Sequence, residues 1–212
     1  MIKIKLTKGE LKRQRDALKQ YRHYLPTLQL KKQQLQMKIL EARRLLEEKL
    51  AVLGQLESDI SAWVGLLADP ELASGAEPID LKKWITPKKV EVLTLNIAGA
   101  NVPFIEKILF PPIDYDFYAT PFWLDQGVKK LREFVDFFIH VLIVRRQIEI
   151  LEQELRITTQ RVNLFEKIKI PECLENIRKI RIYLGDQQAN AVGISKVAKK
   201  KVEGRELEEA FL

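Results

Sequence analysis

Arg161, Asn163 and Glu166 have the side-chain types that acid–base chemistry uses. A carboxylate near a guanidinium and an amide could hold or move a proton. On a helix, however, these spacings put the three on adjacent turns, where they serve equally to bond one another or to meet a partner surface. That structural role is the stronger reading. His23 and His140 are far apart and the single cysteine, Cys173, lies elsewhere, so no zinc site is expected. The chain has no G-x-x-x-x-G-K-[ST] stretch and hence no phosphate cradle of that kind. Cys173 falls among apolar positions and is expected to pack as a small hydrophobe. One cysteine builds no disulfide framework and points to a reducing compartment. No catalytic constellation, cofactor site or metal set is read, and the chain is expected to be non-catalytic.

The elements around these residues are long helices. With heptad position a on Leu11, Leu18, Leu25, Lys32, Ile39, Leu46, Leu53 and Ile60, position d falls on Gln14, Tyr21, Leu28, Leu35, Ala42, Lys49, Leu56 and Trp63. Thirteen of these sixteen are apolar, a pattern that predicts a coiled-coil helix over eight heptads. Thr7 is placed as its N-cap, with Glu10 at the capping-box position, and Pro26 predicts a kink or a restart. From Glu10 to Leu67 such a helix would extend about 87 Å. Lys32 and Lys49 on the seam are read as register-fixing residues. A second helix is expected from about Pro121 to Tyr183 or Leu184. Its seam runs through Ile148, Leu151, Leu155, Thr158, Val162 and Phe165, slips in phase across Ile168–Pro171, and resumes at Ile170, Cys173, Ile177, Ile180 and Leu184. Gly185 is expected to stop it, leaving a basic tail that frays when free.

Between the helices the period changes. Val90–Ile97 alternates and is rich in β-branched residues, Ala98-Gly99-Ala100-Asn101 is a turn signal, and Val102–Phe110 returns as a second strand. A β-hairpin follows, with Pro103 on an unpaired edge. The first helix is expected to end near Ala68-Asp69-Pro70, Ser74–Pro78 and Pro111–Pro121 read as loops, and Tyr115, Phe117, Tyr118, Phe122 and Trp123 as a local core. The fold class is therefore mainly α: a long antiparallel two-helix coiled coil with a small hairpin-bearing middle module. The segments are 1–68 and 121–185 for the helices, 69–120 for the module and 186–212 for the tail.

The net charge is +7, unevenly spread. Lys3, Lys5, Lys8, Lys12, Arg13, Arg15, Lys19 and Arg22 make the N-terminus basic, and Lys196 and Lys199–Lys201 do the same for the tail. Residues 69–127 hold nine acids against five lysines. Antiparallel helices would gather the two basic stretches at one end. The first residues lack the apolar region of a signal peptide. Phe134–Val144, interrupted by Asp136 and His140, is too short to span a bilayer.

Arg161-Val162-Asn163, Glu166 and Ile170-Pro171 resemble the signature near the C-terminal end of the D subunit of the V-type and A-type rotary ATPases, the central rotor shaft. Asn96-Ile-Ala-Gly99 followed by Val102-Pro103 resembles that family's middle segment. Gly185-Asp-Gln-Gln and Pro26-Thr27 depart from its commoner pattern. The resemblance implies a rotor subunit of a proton- or sodium-translocating ATPase or ATP synthase, in which the chemistry belongs to other subunits. It implies partners in the catalytic and non-catalytic head subunits, a small companion stalk subunit and the connector to the membrane ring. Neither nucleic acid nor direct membrane insertion is implied, and the place expected is cytoplasmic, peripheral to the membrane. Carried onto this chain, Arg161, Asn163 and Glu166 belong to the shaft, where they could meet the head. Lys8, Arg13, Arg15, Lys199 and Lys200 form the basic end, and Gly99 and Pro103 lie toward the companion. Two rivals stand beside it. A prefoldin-like chaperone subunit would need apolar helix tips, whereas these ends are polar and basic. A basic coiled coil binding nucleic acid would use the N-terminal Lys/Arg run, but no base-reading module is visible.

Overall fold

In the computed structural model, residues 4–65, 81–113 and 123–210 are described, the side chains of the last eight excepted. The expected loop at Ser74–Pro78, the helix start at Pro121 and four of the clustered aromatics (Tyr115, Phe117, Tyr118 and Phe122) lie outside them. Helix α1 spans Lys8–Val64 and α2 spans Leu81–Ile85. Strands β1 (Lys89–Ile97) and β2 (Ala100–Leu109) form one antiparallel hairpin. Helix α3 covers Leu124–Asn163, a π-helical segment covers Leu164–Lys169, and α4 covers Ile170–Ala210. The chain is mainly α, a long helix pair with a hairpin between the two helices in sequence. No helix among the described residues is long and apolar enough to cross a membrane.

α1 is one continuous helix of 57 residues with Pro26 inside it, not two. Its seam follows the heptads closely. All sixteen a and d positions are buried or half-buried, and between residues 11 and 63 the other sheltered residues are Ala17 and Lys31. A stripe that narrow is what knobs-into-holes pairing with one other helix requires. Thr7 caps the helix as expected: the Glu10 amide donates to Thr7 Oγ1 at 3.2 Å. The reciprocal half of the capping box is missing, because the Glu10 carboxylate accepts from Gln14 Nε2 and the Thr7 amide donates to the Lys5 carbonyl.

The residues group into two compact units. One comprises residues 31–157. Its helices run antiparallel: Leu35 shares a core cluster with Leu151, Lys49 Nζ lies over the Phe137 ring, and the Trp63 ring abuts Gly127. A Cβ at Gly127 would sit 3.4 Å from that ring, so the glycine admits the indole against α3. The hairpin packs through β2 and the turn. Ala100 and Val102 join Leu35, Ile39 and Leu151 in the buried cluster, with Ile97, Ala98 and Phe104 against it. β1 hangs outboard, every residue from Val92 to Asn96 exposed. Gln147, buried on α3, donates from Nε2 to the Pro103 carbonyl at 2.6 Å. Arg132 ties down the strand exit, donating to the Trp84 and Pro111 carbonyls and lying 5.4 Å from the Phe110 ring centre.

The hairpin turn is Ala98-Gly99, with φ of 49° and 81°. Two positive values make it a type I′ turn, whose twist matches the strands it joins. Ile97 and Ala100 then form the hydrogen-bonded closing pair, and pairs alternate from there. Thr94↔Pro103 falls at a non-hydrogen-bonded pair. Pro103 therefore sits where its missing N–H removes no rung of the ladder. Glu106 is an extra residue on β2, since Glu91 pairs with Lys107 and Val92 with Ile105.

The other unit comprises residues 1–30 and 158–212. Thr158, Val162, Cys173, Asn176, Ile177 and Ile180 form its buried line, and the Tyr21 and Phe165 rings meet at 5.0 Å. The phase slip read at Ile168–Pro171 is a π-helical turn, in which the Ile170 amide donates to the Phe165 carbonyl, five residues back. A π turn inserts one residue into the α-helical count. The seam therefore steps from Val162 and Phe165 to Cys173 and Ile177 with one residue more than a heptad allows, and both sides stay buried. Pro171 follows the wide turn, where it has no amide to offer the preceding turn.

α4 does not stop at Gly185, as its sequence suggested, but continues to Ala210. Gly185 is not among the glycines with positive φ, so no left-handed cap forms there. The residues that follow, Asp186-Gln-Gln-Ala-Asn-Ala191, contain no proline and continue the helix. From Gly185 to Val202 every residue is exposed.

Candidate functional site

Among the described residues no group of three or more His, Cys, Asp or Glu could hold a metal ion. The residues singled out for function fall in three places. Arg161, Asn163 and Glu166 lie together where α3 passes into the π turn, and all three are exposed. Val162 between them is buried and Phe165 is half-buried against Tyr21. The seam thus anchors this stretch through its apolar residues and turns the polar three outward. They do not bond one another, and Asn163 makes no side-chain cap. A guanidinium, an amide and a carboxylate are thus held outward on the helix surface.

Just beyond, Lys169 Nζ lies 3.1 Å from Glu172 Oε2. That hydrogen bond and the charge behind it raise the lysine's pKa. Cys173, one residue on, is buried, and loss of solvent pushes its thiol up, with the Glu172 charge adding to the effect. It is a packing residue held neutral, as its place on the seam implies. Lys179 holds the Glu175 carboxyl below its ordinary value through a 2.6 Å ion pair.

The basic residues occupy the same unit as the π turn. Lys8, Arg13 and Arg15 are exposed on the first turns of α1, and Lys199 and Lys200 are exposed on α4. Arg13 lies 3.5 Å from Glu10 with its side chain 80% exposed, so it is barely engaged. The two basic stretches share a unit, yet the α4 lysines sit past the end of the buried seam. Lys199 is fifteen residues beyond Leu184, about 22 Å along the helix.

Gly99 and Pro103 belong to the other unit. Gly99 occupies the second position of the I′ turn, and its amide donates to Asn96 Oδ1 at 3.0 Å. Asn96 Nδ2 in turn donates to Asn101 Oδ1. A Cβ on Gly99 would meet Lys31 Nζ at 3.1 Å. That ammonium donates to Glu154 Oε1 at 2.6 Å. Pro103 is half-buried, and its carbonyl accepts from Gln147 on α3. The Lys31–Glu154 pair, Gln147 and Arg132 escape sequence reading, because polar residues flanking a seam look like any solvated face. The one signal available was Lys31 beside the seam residue Lys32.

Residues 10–200 match the family of the ATP synthase D subunit. A protein of Borreliella burgdorferi named as the D subunit of a V-type ATP synthase is 44% identical over 94% of this chain and 95% of its own length. Proteins of the same name from Chlamydia muridarum and Chlamydia caviae are each 36% identical, over 94% and 97% of this chain and 96% of their own lengths. The chaperone and nucleic-acid readings gain nothing from these relatives. With a heptad seam sheltered along its length, a hairpin of the expected kind and similarity across nearly the whole sequence, the chain belongs to the ATP synthase D-subunit family.

Proposed function

We propose that this chain is the non-catalytic central shaft of a V-type rotary ATP synthase, turning within a head of catalytic and non-catalytic subunits. The observation that supports this best is the unbroken heptad shelter of α1: a helix pair packed layer on layer resists bending and unwinding, because either disrupts many contacts together. Such an element can present different side chains to different head subunits and so bias otherwise identical sites into different states. The basic residues Lys8, Arg13, Arg15, Lys199 and Lys200, with Arg161, Asn163 and Glu166, are assigned to the head. Exposed charges of this kind are each worth about 0.2–1 kcal/mol, weak enough for a surface that must slide. The hairpin around Gly99 is assigned to a companion stalk subunit, and the site of action to the cytoplasmic side of the membrane, peripheral to its ring. The segments 1–68, 69–120 and 121–185 are assigned as shaft helix, companion-binding module and second shaft helix.

The test is capture of head and companion subunits by variants with Lys199–Lys201 and Arg13 and Arg15 reversed to glutamate. Loss of the head with the companion retained, and a wild-type head contact that weakens with salt over a screening length of about 8 Å, is expected. Retention of the head with loss of the companion would reverse the assignment. Loss of neither would leave the basic residues as a solvated face.

A further inference from the structure

β1 is the outboard strand of a two-stranded sheet, and its second edge is uncovered among the described residues. The buried hairpin residues belong to β2 and the turn, whereas Val92, Leu93 and Leu95 on β1 are 44%, 49% and 50% exposed. An ordinary hairpin strand shelters alternate residues, and this one shelters none between Val92 and Asn96. Both faces of the strand are therefore open, as is the edge between them. The I′ turn sets which backbone groups point that way. With Ile97↔Ala100 as the closing hydrogen-bonded pair, Leu93 and Leu95 direct their N–H and C=O groups toward β2. Val92, Thr94 and Asn96 direct theirs outward. No proline or lysine guards that edge from Val90 to Ile97, although proteins ordinarily blunt exposed edges in this way.

We propose that the outer edge of β1 receives an extended segment of a neighbouring subunit, added as a third strand on the backbone of Val92, Thr94 and Asn96. This rests on the reading that the hairpin meets another subunit of the assembly, and it names the mode: main-chain bonding for affinity, alternate apolar side chains for specificity. The segment it fits alternates apolar residues against Val92 on one face and Leu93 and Leu95 on the other. Near the start of β1 it carries a carboxylate, since Lys88 and Lys107 stand there while Glu91 is already paired with Lys89 at 2.7 Å. A second copy of this chain is a poorer occupant, because two chains of net charge +7 repel.

The experiment is site-resolved hydrogen exchange on the isolated chain and on the intact complex. Leu93 and Leu95 amides should exchange slowly in both. Val92, Thr94 and Asn96 amides should exchange freely in the isolated chain and about 100-fold more slowly in a complex at 100 times its dissociation constant. Slowing confined to Gly99–Asn101 would overturn strand addition while leaving the hairpin contact standing. No change anywhere in residues 89–109 would overturn both. Slowing at the three amides in the isolated chain that grows with concentration would mean self-pairing and overturn the proposal. Thr94→Pro removes an outward donor opposite Pro103, where the hairpin ladder loses nothing, and should weaken association about tenfold or more. Unchanged association would overturn the proposal. Should the Leu93 and Leu95 amides open in that variant, Thr94→Lys, which guards the edge without altering the backbone, takes its place with the same two outcomes.

Discussion

Lys31 and Glu154 join α1 to α3 through a 2.6 Å ion pair that lies beneath the hairpin turn, close enough to Gly99 that a Cβ there would meet the same ammonium nitrogen at 3.1 Å. Both side chains are about a quarter exposed, 27% and 23%, so the pair is better sheltered than the others on these helices. The turn, the first helix and the third are thereby fixed to one another at a single point.

Gly99→Ala should be destabilising out of proportion to its size. An alanine at φ +81° meets a strained backbone, costing roughly 1–2 kcal/mol, and its methyl displaces Lys31. Thermal denaturation of this variant beside Lys31→Met and the double variant is the measurement. The double variant is expected to lose less than the sum, because the lysine that the methyl would push is already gone.

Leu35 is fully buried at the meeting of α1, β2 and α3. Leu35→Ala should cost about 2–5 kcal/mol. Leu35→Asp should unfold the unit of residues 31–157 altogether, since a buried, unpaired charge has no solvent to support it. Leu30→Ala, at a position 55% exposed, should stay within about 0.5 kcal/mol of wild type. Calorimetry and far-UV circular dichroism on the three chains check the ranking.

Deleting Lys167, an exposed residue of the π turn, returns the seam to an uninterrupted heptad count from Val162 to Leu184. The helix then has every apolar residue in place, but Pro171 sits in a regular α-helical interior, which costs about 3 kcal/mol. The deletion alone should therefore lower the melting temperature, and Pro171→Ala in the deleted chain should restore most of the loss. Pro171→Ala in the full chain should do little. If it rescues nothing in the deleted chain, the π turn is held by something other than the proline and the count.

Cys173 carries a thiol raised by burial, so the folded state favours the neutral form. Its stabilising contribution is present in full below the ordinary thiol pKa and is lost as pH rises through the higher folded value. Alkylation near pH 8 should be slower than for a free cysteine and should accelerate when urea opens the helix pair. Rapid alkylation of the native chain, read by mass spectrometry, would contradict the burial.

Much of this fold is legible in the sequence because its cores are narrow. A coiled-coil seam is decided by residue type every three or four positions, so Leu11 through Trp63 could be placed without knowing the partner. The hairpin is legible for the same reason, with period two and a glycine turn. The π turn shows in the sequence only as a slip of one residue, because periodicity records the count but not which hydrogen bonds absorb it. α4 runs past the stop expected at Gly185 because glycine ends a helix only when it adopts positive φ, and nothing local forces Gly185 to do so. Of the candidate sites, the outward set of Arg161, Asn163 and Glu166 was readable from its position beside the seam. The open edge of β1 was not, since alternation over Val90–Ile97 does not say that every residue from Val92 to Asn96 stays exposed.

From Gly185 to Val202 α4 has no packed face to hold it, and Gly185 and Gly193 each lower its helical preference by about 1 kcal/mol relative to alanine. Its turns there exist by propagation from a nucleus that the seam supplies, not by one of their own. Such a segment unwinds residue by residue from its free end, with no cooperative step. Warming the isolated chain should therefore draw down the helical signal along a slope well before the packed pair melts, and seating that end against any firm surface would flatten the slope.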